Sequence, residues 1–346
     1  MEYFRFMETA VLFFTSGSKF LMRHYSRLLS GLGTFVLLFL ILILVGQWVS
    51  RDKPDWIYRS SIPEGLIDWD QSILGDAFGE PYDEYIFYHG IGHAMTWARQ
   101  ADILILGNSR PLFAFRSPVI QQAEKQSGLT IYNLAGTGST VTYALALIRK
   151  QNLRPRLIIL NEDNFFNSVV WPSQKAAMNQ SDWQCWMSVG EHYLSWKIQN
   201  TLRHWIPKFG FFKEHGGKNF YLLRSVQNGA LFLENVSDQN IPLKEPRRQV
   251  SPLKIDPVYL ERAELFKKEM EDRGARLVLT HVPSSVLNQA YAQALAKELQ
   301  IPYVEPRLLG LNTFDQSHLT PESGDRFSKA FFKKLFQLDE VKKIIH

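Results

Sequence analysis

Short apolar runs alternate with amphipathic segments along residues 101–340, and this alternation limits the possible folds more than any other feature of the sequence. The runs ILIL, LIIL and LVL are typical of strands buried on both faces of a sheet. Strands are predicted at 102–107, 129–136, 155–161, 275–283 and 301–306. Helices are predicted at 111–126, 139–152, 256–274, 284–300 and 321–338. Alternating strands and helices predict an α/β fold in three layers, with a parallel sheet between helices.

Two regions depart from this alternation. Residues 50–100 are polar with weak periodicity, and we predict a linker or approach segment there. Residues 165–250 contain five tryptophans and predict an aromatic, helical insertion over the strand ends. Its aromatic side chains either pack the insertion's own core or contact sugar or membrane.

Residues 31–49 contain no charged side chain and predict a transmembrane helix. At 1.5 Å per residue, such a helix spans about 28 Å, close to the thickness of a bilayer core. No small-residue cleavage site follows, which favours an uncleaved signal anchor over a signal peptide. Residues 1–30 are then a cytoplasmic or interfacial segment. Basic residues flank the span equally, so the charge distribution leaves its orientation open.

Composition argues against several classes of partner and cofactor. The chain has 346 residues and a formal net charge of +5, with its basic residues scattered, so no nucleic-acid partner is predicted. Cys185 is the single cysteine, which excludes an intramolecular disulfide and a zinc site built from several thiolates. His89 and His93 are four apart, but the glycines between them disfavour a helix and no acidic third ligand is evident. We predict no metal and no cofactor.

Ser109 follows the first predicted strand, and Asp315 and His318 lie three residues apart in a loop before the last helix. This spacing lets the carboxylate bind one imidazole nitrogen while the other faces a serine. Ser109 is predicted as the nucleophile, His318 as the general base and Asp315 as the residue that orients it. Ser109, Gly136 and Asn161 all follow strands whose carboxyl ends meet at one edge of a parallel sheet.

An oxyanion formed at Ser109 needs hydrogen-bond donors. The Ser109 N–H and Gly136 are predicted donors, and the side-chain amide of either Asn161 or Asn164 is a third. Two further residues have open roles. Arg110 either holds an anionic group of the substrate or is a surface charge, and His281 either contacts substrate or is structural.

The blocks ILGNSR, NLAGTGS, LIILNEDN and DQSH resemble, in this order, those of the SGNH (GDSL-like) hydrolase superfamily. With its N-terminal anchor, the chain is similar to the membrane-tethered, DltD-like branch that acylates cell-envelope polysaccharides. The resemblance implies a flavodoxin-like SGNH fold, an extracytoplasmic domain, an acyl-serine intermediate and a membrane-bound O-acyltransferase partner. Two departures are Asn108, where the family has aspartate, and a third block without the G-x-N-D form.

Two functions follow as expectations. The first is acyl transfer to or from a cell-envelope glycan or polyol polymer through Ser109, with ester hydrolysis if water takes the acyl group. The second is a non-catalytic assembly protein that binds a glycan or a membrane acyltransferase partner.

Overall fold

The computed structural model describes residues 71–73, 83–91, 93–136, 138–187, 221–234, 240–243, 254–284 and 289–345. The predicted N-terminal segment 1–30 and transmembrane segment 31–49 lie outside these ranges. Within these ranges, no helix is both long and apolar enough to span a bilayer.

The strands and helices are numbered here in chain order. The strands are β1 Gln71–Ile73, β2 Ile103–Leu106, β3 Ile131–Asn133, β4 Leu157–Asn161, β5 Tyr221–Ser225, β6 Leu231–Glu234, β7 Ile241–Pro242, β8 Arg276–Thr280 and β9 Asn312–Thr313. The helices are α1 Asp83–His89, α2 Ala94–Gln100, α3 Ser109–Ala114, α4 Ser117–Ser127, α5 Val141–Lys150, α6 Pro172–Asn179, α7 Pro257–Asp272, α8 Gln289–Glu298, α9 Pro321–Leu335 and α10 Asp339–Ile345. A further helical stretch covers 182–187.

The central sheet has four parallel strands in the order β3-β2-β4-β8. Ile103 of β2 is in register with Ile131 of β3 and with Leu157 of β4. If these four strands are counted along the chain, they lie side by side in the order second, first, third and fourth. This is the order of doubly wound sheets of the flavodoxin type. In such sheets ligands bind where the strand order reverses, which here is the carboxyl end of β2 and β4.

Helices cover both faces of this sheet. Successive strand residues point to opposite faces and enter two separate apolar cores. Leu104 and Ile158 join the core that includes residues of α2, α5, α7 and α8. Ile105 and Ile159 join the core that includes residues of α4, α9 and α10. The prediction of an α/β fold with a parallel sheet is confirmed.

The predicted fifth strand, 301–306, is reduced to one parallel bridge between Leu279 and Tyr303. Leu279 donates its N–H to the Pro302 carbonyl and accepts one from Val304, each at 2.9 Å. Pro302 and Pro306 have no N–H, which prevents a longer ladder of hydrogen bonds.

The predicted helix 111–126 is two helices, α3 and α4. Arg116 is extended between them, and Pro118, which has no N–H to donate to the Ala114 carbonyl, favours this break. At the other end of the sequence the last helix stops at Leu335, and a separate helix, α10, follows.

The interpretation of 50–100 as a polar linker is wrong for its second half. Residues 83–89 and 94–100 form α1 and α2, and Ile86, Phe87 and Met95 lie in the core. Amphipathic spacing over segments of seven residues is too short to be distinguished from a loop in the sequence alone.

The prediction of a helical insertion at 165–250 is wrong in part. Its described residues include α6, but also an antiparallel hairpin of β5 and β6, to which β1 adds a third strand. Farther along, β7 pairs with β9, just before the loop that holds Asp315 and His318.

The β5–β6 hairpin attaches to the outer edge of the central sheet through a buried arginine. Arg224 is fully buried and donates hydrogen bonds to the carbonyls of Asn133, Ala135 (2.8 Å) and Gly229 (2.7 Å). In the same contact, Asn133 donates its N–H to the Asn228 carbonyl at 2.8 Å. The hairpin therefore fixes the residues that lead from β3 towards Gly136.

Candidate active site

The turn after β2 presents the Ser109 hydroxyl at the carboxyl edge of the sheet. Gly107 has φ +141°, and a Cβ there would lie 2.9 Å from both Asn161 Cβ and Pro111 Cγ, so only glycine fits. Asn108 then caps α3, because its Oδ1 accepts the Arg110 N–H at 3.0 Å. Ser109 is the first residue of this helix, and its N–H has no intrahelical acceptor.

The loop that holds the other two predicted catalytic residues is closed by its own hydrogen bonds. Asp315 Oδ1 accepts the backbone N–H groups of Ser317 at 2.9 Å and His318 at 2.7 Å. Phe314 donates its N–H to the His318 carbonyl at 3.1 Å. These bonds turn the chain tightly enough for a carboxylate and an imidazole three residues apart to meet.

Ser109, His318 and Asp315 form a continuous chain of hydrogen bonds. Ser109 Oγ lies 2.7 Å from His318 Nε2, and His318 Nδ1 lies 2.6 Å from Asp315 Oδ2. An ionised carboxylate only accepts hydrogen bonds, so the ring proton belongs on Nδ1. Nε2 then accepts the proton of the Ser109 hydroxyl, which is the arrangement that general-base catalysis requires.

Two phenylalanines surround the His318 ring, and the sequence reasoning missed both. The Phe113 ring centre lies 4.6 Å from it, and Phe314 stacks on it at 5.6 Å and 17°. This burial lowers the pKa of His318, while the hydrogen bond to Asp315 acts in the opposite direction. Phe113 lies one helical turn after Ser109, which is the sequence signal that could have identified it.

The side chain of Asp315 is 41% exposed, and its hydrogen bonds favour ionisation. Partial burial acts to raise its pKa, but hydrogen bonds from the His318 ring and from two backbone N–H groups outweigh burial and lower it. Asp315 is therefore a carboxylate at neutral pH, as its predicted role requires.

The predicted oxyanion donors are in three different states. The Gly136 N–H is engaged, because it donates to the Gly107 carbonyl at 3.1 Å. Asn161 is buried; its Oδ1 accepts the Val282 N–H at 2.7 Å, while its Nδ2 has no hydrogen-bond partner among the described residues. Asn164 is exposed and has φ +60°. Of these three predicted donors, the Gly136 N–H is thus committed to another acceptor, whereas the Asn161 side-chain amide is not.

Arg110 is buried, which rules out the surface-charge alternative, while its contact with an anionic group of the substrate stays a prediction. Its guanidinium forms an ion pair with Asp163 and donates to the carbonyl and hydroxyl oxygens of Ser317. Burial lowers the pKa of Arg110 to about 10, with Asp315 acting against this shift.

His281 is also buried, which fits the structural alternative, while its contact with substrate stays a prediction. Its Nδ1 donates to the Glu162 carbonyl at 3.0 Å, and burial lowers the pKa of the ring.

The same edge of the sheet holds a buried acid that the sequence reasoning did not select. The Glu162 carboxyl accepts a hydrogen bond from the Tyr259 hydroxyl, and burial raises the pKa of Glu162 to about 7. Among the described residues, no cluster of three or more His, Cys, Asp or Glu side chains is placed to hold a metal ion.

One exposed aromatic side chain adjoins the site. Trp171 is 48% exposed, and its indole covers Gly138, where any Cβ would collide with the ring. Gly138 lies two residues after Gly136, which is bonded to the turn before Ser109. An exposed indole at this edge offers an apolar face to a ligand.

Searches against protein-family models, curated proteins and solved structures find no match to this chain. Fold and geometry define an α/β protein with a serine–histidine–aspartate hydrogen-bond chain at the carboxyl edge of its parallel sheet.

Proposed function

We propose that the chain is a serine-dependent acyltransferase or esterase that works through an acyl-serine intermediate. The observation that carries the proposal is the distance of 2.7 Å between Ser109 Oγ and His318 Nε2, with Asp315 on the opposite ring nitrogen. A serine hydroxyl, an imidazole and a carboxylate in this order form the arrangement that activates a hydroxyl for attack on a carbonyl carbon.

In the first half-reaction, Ser109 Oγ bonds to the acyl carbon while its proton moves to His318 Nε2. The bond to the leaving group then breaks, and the leaving group takes that proton. In the second half-reaction, a hydroxyl oxygen bonds to the acyl carbon and its proton moves to Nε2. The proton returns to Ser109 Oγ as the acyl–serine bond breaks. A sugar or polyol hydroxyl gives transfer, and water gives hydrolysis.

We further propose that the acceptor is a cell-envelope glycan or polyol polymer. The exposed indole of Trp171 supports this proposal, since sugar rings pack their C–H faces on such surfaces. The SGNH-like blocks and the 2-1-3-4 strand order support an SGNH-type fold. The membrane anchor, the extracytoplasmic location and the membrane-bound O-acyltransferase partner belong to this proposal and rest on the resemblance.

The test is covalent labelling of the full chain with a fluorophosphonate probe. We expect the wild type to be labelled and Ser109→Ala to be unlabelled. Ser181→Ala is the matched control, because Ser181 is an exposed serine whose hydroxyl bonds only to Gln184 among the described residues. A folded wild type without labelling, or equal labelling of Ser109→Ala, would contradict the proposal.

One observation favours a second function, that of a glycan-binding assembly protein. The Gly136 N–H, predicted as an oxyanion donor, is engaged by the Gly107 carbonyl. If this bond persists during substrate binding, the site holds fewer donors than acyl transfer normally uses. An unlabelled wild type that still binds the polymer, with binding lost in Trp171→Ala, would support this alternative.

A further inference from the structure

Arg110 joins three segments that are distant in sequence and meet at the candidate site. Its backbone lies in α3, directly after Ser109. Its guanidinium contacts Asp163, two residues after β4, and also Ser317, in the loop between Asp315 and His318. The side chain is only about one-tenth exposed, so these contacts form away from bulk solvent.

The contacts to Ser317 fix the loop in position. Nε donates to the Ser317 carbonyl at 3.3 Å, and Nη2 donates to its hydroxyl at 3.1 Å. The planar guanidinium thus contacts one residue through two donors, which restrains rotation as well as distance. Ser317 directly precedes His318, so a shift of Ser317 moves the imidazole relative to Ser109.

The acidic partner is itself held in place. Asp163 Oδ2 accepts a hydrogen bond from the side-chain amide of Asn108 and also contacts Arg110. An aspartate at position 108 would oppose the Asp163 carboxylate with a second negative charge. Asparagine at 108 therefore fits the presence of Asp163 and Arg110 in this chain.

We propose that Arg110 is a positioning residue: it holds the Asp315–His318 loop against the Ser109 turn through Ser317, with Asp163 as its anchor. The proposal rests on the proposed function for its catalytic consequence, but the restraint on His318 does not. Among the described residues, the charged groups that act on His318 are Asp315 and Arg110, and the ring also contacts the Ser109 hydroxyl and the Phe113 and Phe314 rings.

The experiment uses Arg110→Met, which removes charge and donors, and Arg110→Lys, which retains the charge without the two-donor contact. Arg116→Met is the matched control. Arg116 also ties this part of the chain to α9, through Pro321 and Asp325, but it does not contact Ser317. Two quantities are measured for each full-length variant: the fluorophosphonate labelling rate constant against pH, and the His318 ring titration by NMR.

We expect Arg110→Met to lower the labelling rate by about 10- to 100-fold, the effect of misplacing a catalytic group by about 1 Å. Removing the positive charge also raises the His318 pKa, which moves the acid limb of the rate profile to higher pH. Arg110→Lys keeps that limb near the wild-type position and labels at an intermediate rate. Arg116→Met matches the wild type in both measurements.

Wild-type labelling and an unchanged His318 titration in Arg110→Met would overturn the proposal. If Arg110→Met does not fold, Ser317→Ala replaces it, since this variant deletes one acceptor of the arginine. There we expect labelling to fall by about two- to tenfold, the value of one hydrogen bond, and an unchanged rate would overturn the proposal. If the wild type itself is unlabelled, the catalytic proposal fails, while a His318 titration that shifts in Ser317→Ala, which changes no charge, still supports the restraint.

Discussion

The histidine loop (residues 314–318) and the β5–β6 hairpin (residues 221–234) lie close to the carboxyl edge of the same sheet but are built differently. The histidine loop places a 41% exposed carboxylate and an imidazole beside a serine hydroxyl. The hairpin places a fully buried arginine, Arg224, against backbone carbonyls. A different arginine holds each segment. Arg110 lies outside the histidine loop and contacts it at Ser317, whereas Arg224 belongs to the hairpin itself.

We expect the histidine loop to contribute mainly to reactivity and the hairpin mainly to the stability of the fold. The His318 and Asp315 side chains remain 18% and 41% exposed, so their loss removes chemistry and is expected to cost less folding free energy than the loss of a fully buried group. Arg224 is desolvated and satisfies several buried carbonyls, so its loss leaves those oxygens without donors. Substitutions in the two segments are therefore expected to have opposite profiles of activity and stability.

The largest expected effect is that of His318→Ala. Without a base, the labelling rate falls by about 10⁴-fold or more, as in other serine-dependent sites. The unfolding free energy stays within about 1 kcal/mol of wild type. Urea denaturation and labelling on the same samples test both statements, and a destabilisation equal to that of Arg224→Met would remove the contrast.

Arg224→Met is expected to act in the opposite way. It leaves the carbonyls of Asn133, Ala135 and Gly229 without a charged donor, and we expect a loss of about 3–5 kcal/mol in unfolding free energy. Arg262→Met is the control, because Arg262 makes one 3.4 Å contact to a backbone carbonyl. Equal stability of the two variants would show that the hairpin contact is dispensable.

Gly229→Ala tests the same contact without a change in charge. Gly229 has φ +64°, and a methyl group there collides with the Asn133 carbonyl oxygen, so we expect about 1–3 kcal/mol of destabilisation. Gly128→Ala separates conformational strain from collision, since Gly128 has φ +70° with open space around it. Chemical denaturation of both variants should show the larger loss for Gly229→Ala.

The dependence of the labelling rate on pH tests the protonation state of His318. His318 acts as a base only when neutral, and burial lowers its pKa below the ordinary value of 6.5. The labelling rate is expected to rise about tenfold per pH unit up to a midpoint below 6.5, then level off. A midpoint above 6.5 would indicate that Asp315 outweighs burial.

The last prediction concerns Glu162, which directly follows β4 and belongs to neither the loop nor the hairpin. Its pKa is about 7 in the folded state, against 4.5 for an ordinary glutamate. Between these values the folded chain binds more protons than the unfolded chain, so stability falls as pH rises. Glu162→Gln should flatten this slope in denaturation curves, whereas Glu264→Gln, an exposed change on α7, should retain it.

The sequence predicted the parts of the site that are set by local chemistry. Aliphatic runs identify the buried strands, and the D-x-x-H spacing identifies a carboxylate and an imidazole that meet within one loop. The carboxyl ends of parallel strands share an edge, which led to Ser109 without knowledge of the strand order.

The parts that were missed depend on contacts between distant segments. Arg110 was expected at a surface or a substrate, because no spacing rule reveals that Asp163 and Ser317 surround it. The β5 run YLLRS does not distinguish strand from helix, and its pairing with β6 depends on tertiary contacts. Gly136 was chosen for the freedom of its backbone, whereas its N–H is committed to Gly107.

The hydrogen bond from the Asn133 N–H to the Asn228 carbonyl covers one edge of the central sheet, and deletion of the hairpin would uncover it. β3 is an outermost strand of the central sheet, and this bond occupies an N–H that would otherwise be open to a neighbouring molecule. Exposed strand edges promote pairing between molecules and aggregation. We therefore expect a chain that lacks residues 221–234 to expose this edge strand and to self-associate. In this way the hairpin, which lies outside the α/β core, would contribute to solubility at high concentration.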